Sequence, residues 1–121
     1  MSIPFTAVDH VQVAIPLGSE DRARDFYGRV LGLEEIPKPA ELAVRGGVWF
    51  RSGGVSIHLG TDANFCPAVK AHPAFRCAKY DELVARLRYC KAELKSDPDV
   101  PSGRRHCYVF DPFGNRIELI D

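Results

Sequence analysis

The chain has 121 residues, 45% of them hydrophobic, which suits a single domain with its own core and is too apolar for a disordered chain. Sixteen Lys and Arg balance sixteen Asp and Glu, so no basic surplus points to nucleic acid or to an anionic membrane surface. No apolar run approaches the roughly 20 residues needed to cross a bilayer, and residues 1–7 lack the basic start and apolar stretch of a secretory signal, which makes the cytoplasm the expected location.

The first element is a strand at residues 7–15, where Val11, Val13 and Ile15 alternate with His10, Gln12 and Ala14. Pro16 ends it. Ser19 is the expected N-cap of a helix, with Glu20 and Asp21 at the favourable end of its dipole. Ala23, Phe26, Tyr27, Val30 and Leu31 form its apolar face, and Gly32 stops it. Residues 33–36 form a short strand closed by Pro37 and Pro39. Residues 47–51 and 55–59 form a hairpin around Ser52-Gly53-Gly54, and residues 61–70 are a linker. A second round follows. Residues 72–77 are strand-like, and Asp81 is the expected cap of a helix carrying Leu83, Val84, Leu87 and Cys90 on one face. Residues 92–95 make a weak strand and 97–103 a loop. Residues 105–110 and 116–120 are strands joined by D-P-F-G, with the residue order of a type I turn. The four cysteines, Cys66, Cys77, Cys90 and Cys107, form no C-x-x-C pair. The last three sit in apolar patterns as small core residues.

The order is therefore β-α-β-β-β twice, an α+β chain built from two modules at about residues 5–60 and 70–121. The spacing repeats. Ser19 lies nine residues after His10 and Asp81 nine after His72; His58 follows His10 by 48 and Glu118 follows His72 by 46. Side chains alternate across a strand, so His10 shares a face with Gln12, and His58 with Ser56. His72 shares one with Arg76, and Glu118 with Arg116. Each opposite face is apolar. Three imidazoles and one carboxylate at equivalent positions suit Zn, Fe, Mn, Co or Ni and are poor for calcium. Any three would leave a position open for a substrate oxygen or water. Taken singly, each has a plainer role: His58 as a hydrogen-bonded strand histidine, Glu118 as a partner of Arg116. His106, among basic residues, reads as surface.

Four segments carry a family resemblance: D-H-V-Q-V at 9–13, F-Y-G-R-V-L-G-L at 26–33, G-G-V-W-F at 46–50 and D-P-F-G-N-R-I-E-L at 111–119. In this order they resemble the vicinal oxygen chelate superfamily, which includes glyoxalase I, extradiol dioxygenases, fosfomycin-resistance enzymes and bleomycin resistance proteins. H-L-G at 58–60 and K-A-H-P-A-F at 70–75 look like a bacterial glyoxalase-like subgroup. The resemblance implies paired βαβββ modules curling into an open, eight-stranded, barrel-like sheet with helices outside. It implies a divalent metal held by His10, His58, His72 and Glu118, with Glu118 the catalytic residue. The fourth-strand place of the first module holds His58 where glyoxalase I carries a carboxylate base, which speaks against that particular reaction.

The expected function is a metal-dependent enzyme, of lyase, isomerase or dioxygenase type, acting on a small oxygenated metabolite bound to the metal as a Lewis acid. Gln12, Trp49, Arg51 and Arg76 are the expected substrate contacts, with Arg45 and Arg105 as further cations able to hold an anionic group. The alternative is a metal-free protein that sequesters a drug or metabolite. Short members of the superfamily pair, and open sheet edges favour a covering partner, so a homodimer is expected, without nucleic acid or membrane.

Overall fold

The structure, a computed structural model, describes residues 3–96 and 105–121. The loop expected at 97–103 lies outside them. The element order is β1 (Val11–Pro16), α1 (Glu20–Ala23) continuing as a wider-wound helix over Arg24–Val30, β2 (Glu34–Ile36), α2 (Ala40–Ala43), β3 (Val48–Ser52) and β4 (Val55–Asp62). Then follow β5 (Ala74–Arg76), α3 (Tyr80–Tyr89), β6 (Glu93–Ser96), β7 (His106–Phe110) and β8 (Arg116–Ile120). The eight strands make two four-stranded mixed sheets, ordered β1-β4-β3-β2 and β5-β8-β7-β6. In each, the first strand runs parallel to the fourth and the remaining neighbours are antiparallel. This is an α+β fold whose strands curve toward a barrel without closing into one.

Alternation sets the core. Val13, Ile15, Val48, Phe50, Ile57 and Leu59 of the first sheet are buried with Cys107, Val109, Ile117 and Leu119 of the second, against Phe26, Tyr27 and Leu87 of the helices. One apolar cluster thus serves both halves. A buried polar hinge adds direction to it. The Asp111 carboxylate accepts from Tyr27 Oη at 2.7 Å, from Asn115 Nδ2 at 2.9 Å, and from the Phe113 and Asn115 amides at 2.9 and 2.8 Å. Asn115 Nδ2 also donates to Ala14 O at 2.9 Å, and its Oδ1 accepts from Ala68 N at 2.9 Å. The D-P-F-G-N turn therefore pins the second module onto both the helix and the first strand of the first. Burial, reinforced by the Asp111 carboxylate, raises the Tyr27 phenol well above its ordinary value and keeps it a donor.

Several local expectations are corrected. Ser19 stands at the N-cap position as expected, but its hydroxyl donates to Pro16 O at 2.6 Å and makes no capping bond. Asp81 lies inside the first turn of α3, behind Lys79 at the cap position, and its carboxylate is taken by Arg105 at 2.6 Å. The helix after Ala23 closes i→i−5 bonds, such as Leu31 N to Phe26 O at 2.8 Å, yet still buries Phe26, Tyr27 and Val30. Residues just after Pro39 form the short α2 (Ala40–Ala43), and β4 runs on to Asp62. His10 and His72 stand at the entries of β1 and β5, just outside the paired strands. Among the described residues no helix is long and apolar enough to cross a membrane.

Candidate functional site

On the first sheet, Gln12, His58 and Trp49 lie side by side across β1, β4 and β3. All three project from the face opposite the core. The His58 ring is clamped: Trp49 stacks on it at 3.8 Å between centroids and 3° between planes, and His10 stacks at 4.0 Å and 16°. His10 Nδ1 meets Asp9 Oδ2 at 2.8 Å. Burial, then the charge of His10, with Lys38 adding to both, holds His58 below the usual imidazole range, against a small opposing pull from Asp9. Gly60 makes room for the neighbouring amide, since a Cβ there would sit 1.9 Å from Gln12 Nε2. These groups open on a cavity of about 640 Å³ that Ile36, Lys38, Arg45 and Gly46 also line. Lys38 Nζ donates to Gly46 O.

On the second sheet, His72 and Glu118 form a pair. His72 Nε2 and Glu118 Oε1 are 3.0 Å apart, both side chains about one-fifth exposed at 22% and 18%. His72 Nδ1 lies 2.8 Å from Lys70 O. Donation from Nδ1 to that carbonyl would leave the Nε2 lone pair directed toward Glu118, the arrangement in which proteins orient histidines that bind metals. Tyr108, opposite Glu118 on β7, meets the His72 ring edge-on at 5.5 Å.

The sequence-derived ligands thus fall into two pairs, His10 with His58 and His72 with Glu118. Residues from both halves border one smaller cleft of about 230 Å³ between β1 and β5, lined by His10, Ser56, Pro73 and Ala74 among others. Among the described residues, no three His, Cys, Asp or Glu side chains are grouped so as to hold a metal. Of the expected substrate contacts, Gln12 and Trp49 line the His58 cavity, and so does Arg45. Arg51 is exposed on β3 outside its lining, and Arg76 borders a different cleft. Arg105 is occupied by Asp81 and Asp121. Glu118 takes His72 and not Arg116 as its partner, while Arg116 lies over the Tyr108 and Phe110 rings at 4.8 and 5.8 Å. Sequence reasoning missed Lys38 and Tyr108. Lys38 stands between two prolines in a stretch with no periodicity. Tyr108 was discoverable, because it shares strand alternation with Phe110 opposite the apolar Cys107 and Val109.

The comparisons with known proteins agree with this architecture. A sequence profile of the Glyoxalase/Bleomycin resistance protein/Dioxygenase superfamily matches residues 7–119. A glyoxalase family protein of Bacillus anthracis is 49% identical, with 99% of this chain and 98% of that one covered at a TM-score of 0.94. A fosfomycin resistance protein, FosX, of Listeria monocytogenes shares the fold at 19% identity, a TM-score of 0.76 and coverage of 97% and 93%. A glyoxalase/dioxygenase of Nostoc punctiforme does so at 23% identity, a TM-score of 0.72 and coverage of 98% and 97%. No curated protein matches the sequence at a significant level. With the profile spanning nearly its whole length, the chain belongs to the glyoxalase, bleomycin resistance protein and dioxygenase superfamily, that of the vicinal oxygen chelate proteins.

Proposed function

We propose that the protein is a metal-dependent enzyme acting on a small oxygenated, anionic metabolite, and that its centre is completed by a second copy of the chain. The observation that carries this reading is the His72–Glu118 pair, with Nδ1 placed against Lys70 O and Nε2 facing a carboxylate at 3.0 Å. That pair offers two ligating atoms with the ring already oriented. One chain alone does not fit a three-ligand site, since no such group forms among its described residues. Two copies fit by number and type, when His10 and His58 of one meet His72 and Glu118 of the other. Imidazole and carboxylate donors suit Zn, Fe, Mn, Co or Ni, and the related FosX of Listeria monocytogenes was crystallised with Mn(II) and sulfate.

When bound, the metal would polarise a substrate oxygen. The chain's own groups do the rest. Lys38 and Arg45 put two cations at the rim of the His58 cavity for an anionic substituent, Gln12 offers an amide to an oxygen, and Trp49 walls the apolar side. Glu118 is the base or acid, since its carboxylate stands within hydrogen-bond distance of His72 Nε2, at 3.0 Å. The same reading keeps the protein in the cytoplasm, where its thiols stay reduced.

Calorimetric titration of the metal-stripped protein with Mn(II) and Zn(II) tests it. Wild type is expected to bind, His72→Ala to lose about 10- to 100-fold in affinity, and Glu118→Gln to weaken by removing a negative charge beside the cation. Equal binding by wild type and His72→Ala overturns the site. A second reading, a metal-free binder of planar molecules, draws on the His10–His58–Trp49 stack, which ties up His58 between two rings. Absence of any metal affinity would favour it.

A further inference from the structure

A second concentration of positive charge lies away from this site. A cleft of about 450 Å³ opens between α3, β5 and the end of the first helix, within the roughly 300–1,000 Å³ of small-molecule sites. Its walls are Leu33, Val55, Phe75 and Leu83, and its floor is Ile57 and Leu119. Ile57 and Leu119 project opposite to His58 and Glu118, so the cleft lies on the reverse of both ligand-bearing strands.

Arg76, Lys79 and Arg86 border this apolar surface, with Glu82 the one carboxylate among the lining residues. Among the described residues, the ion pairs engage other cations: Arg24, Arg29, Arg105 and two histidines. None of the three cleft cations is paired with or hydrogen-bonded to another described residue. The Arg86 guanidinium lies over Gly32 at the mouth, for a Cβ on Gly32 would meet its Nη1 at 3.0 Å, and Gly32 has φ +82°. Arg86 is not needed there to satisfy the helix end. Phe26 O, Tyr27 O and Gly28 O already accept from Leu31, Leu33 and Gly32 amides. The ten-residue α3 begins at the same mouth with no side chain capping its first amides, which adds to the positive potential.

An apolar trough rimmed by uncompensated cations is complementary to a molecule with an apolar body and an anionic head. We propose that this cleft binds a small amphipathic organic anion, a free carboxylic acid with a hydrocarbon tail, with the tail on Phe75 and Leu83 and the head between Arg76 and Arg86. The proposal does not depend on the metal reading. It uses the other face of the sheets, and either can fail alone.

The test uses the full chain, with backbone amide NMR to locate the site and calorimetry to measure affinity, and sodium decanoate as the probe. Decanoate is expected to bind once per chain and to shift the amides of Gly32, Phe75, Arg76 and Leu83. Decanol is expected to bind at least about tenfold more weakly, for want of the charge-assisted contacts. Arg76→Gln with Arg86→Gln should weaken decanoate about tenfold per cation removed. Arg88→Gln, on the exposed side of α3 and outside the cleft, should leave it unchanged and controls for net charge. The proposal is overturned by equal affinity for decanol, by wild-type affinity in the double variant, or by shifts centred on Trp49 and His58. Absence of decanoate binding overturns it too, and shifts at the cleft on dilution alone would then identify a second copy of the chain as its occupant.

Discussion

At the residue scale, the electrostatics of His58 make a prediction separate from any metal. Its neutral form is favoured in the fold, chiefly by burial and then by the charge of His10. A histidine with a depressed pKa adds stability that is fully present above its unfolded value of about 6.5. The contribution is lost as pH falls from there toward the lower folded value, because the unfolded chain takes the proton first. In metal-free buffer with chelator, the thermal midpoint of wild type should therefore drop more steeply from about pH 7.5 to about pH 5.5 than that of His58→Gln. Parallel curves would show that His58 is not the group responsible. The Asp111 hinge gives a second prediction. Tyr27 Oη is one of several donors to that buried carboxylate, so Tyr27→Phe removes one bond and leaves the charge mostly satisfied. The expected cost is about 1–3 kcal/mol in urea denaturation, with no change in metal binding. A neutral result would mean that the hydrogen bond contributes nothing beyond the ring's packing.

At the element scale, the strands that present the site depend on left-handed backbone that glycine adopts most readily. Gly47 enters β3 at φ +86°, and a Cβ there would lie 2.3 Å from Leu59 O, next to His58 on β4. Gly53, in the hairpin turn, has φ +54° and open space around it. Gly47→Ala should thus cost at least about 2–3 kcal/mol, from the left-handed backbone together with a clash against main chain. Gly53→Ala should cost only about 1 kcal/mol. Denaturant midpoints of the two variants, compared at equal slope, decide whether close approach or φ alone sets the penalty. The same contrast explains what was legible in the sequence. Strand alternation at Val11-Gln12-Val13 and Ile117-Glu118-Leu119 needed only period two, and so revealed the core face and, opposite it, the face that carries the candidate ligands. The D-P-F-G-N turn announced itself by residue order. Ser19 reached its cap position without a capping side-chain bond and Asp81 missed the cap altogether, because a side-chain oxygen has several nearby partners. Pro16 O took one and Arg105 the other, a tertiary choice that no local pattern contains. The i→i−5 winding over Arg24–Val30 was hidden for a related reason, since an apolar face of similar width serves either helix.

At the scale of the whole molecule, the arrangement of the four candidate ligands is what periodicity could not supply. Equivalent positions in two modules say that His10 corresponds to His72 and His58 to Glu118, not which of them meet. In one chain they form two pairs, and no three of the described side chains group around a metal. The N-terminal arm adds a second sign of an absent neighbour: Ile3, Phe5 and Val8 are 77%, 96% and 77% exposed, an apolar strip running up to His10. Covering such a strip is a usual function of a subunit contact. Light scattering at micromolar concentration is expected to give a dimer, and Phe5→Asp to shift it toward monomer. The sharper test is complementation. His10→Ala and His72→Ala, each defective alone, are mixed under conditions that let subunits exchange. If each centre draws His10 from one copy and His72 from the other, a mixed dimer holds one centre with neither substitution and one with both. Random pairing makes half of the dimers mixed, so about a quarter of all centres should regain wild-type metal affinity. If each centre lies within one chain, every centre keeps its defect and mixing restores none. Recovery near one quarter fixes the centre between copies; a flat result in subunits shown to exchange places it within a single chain.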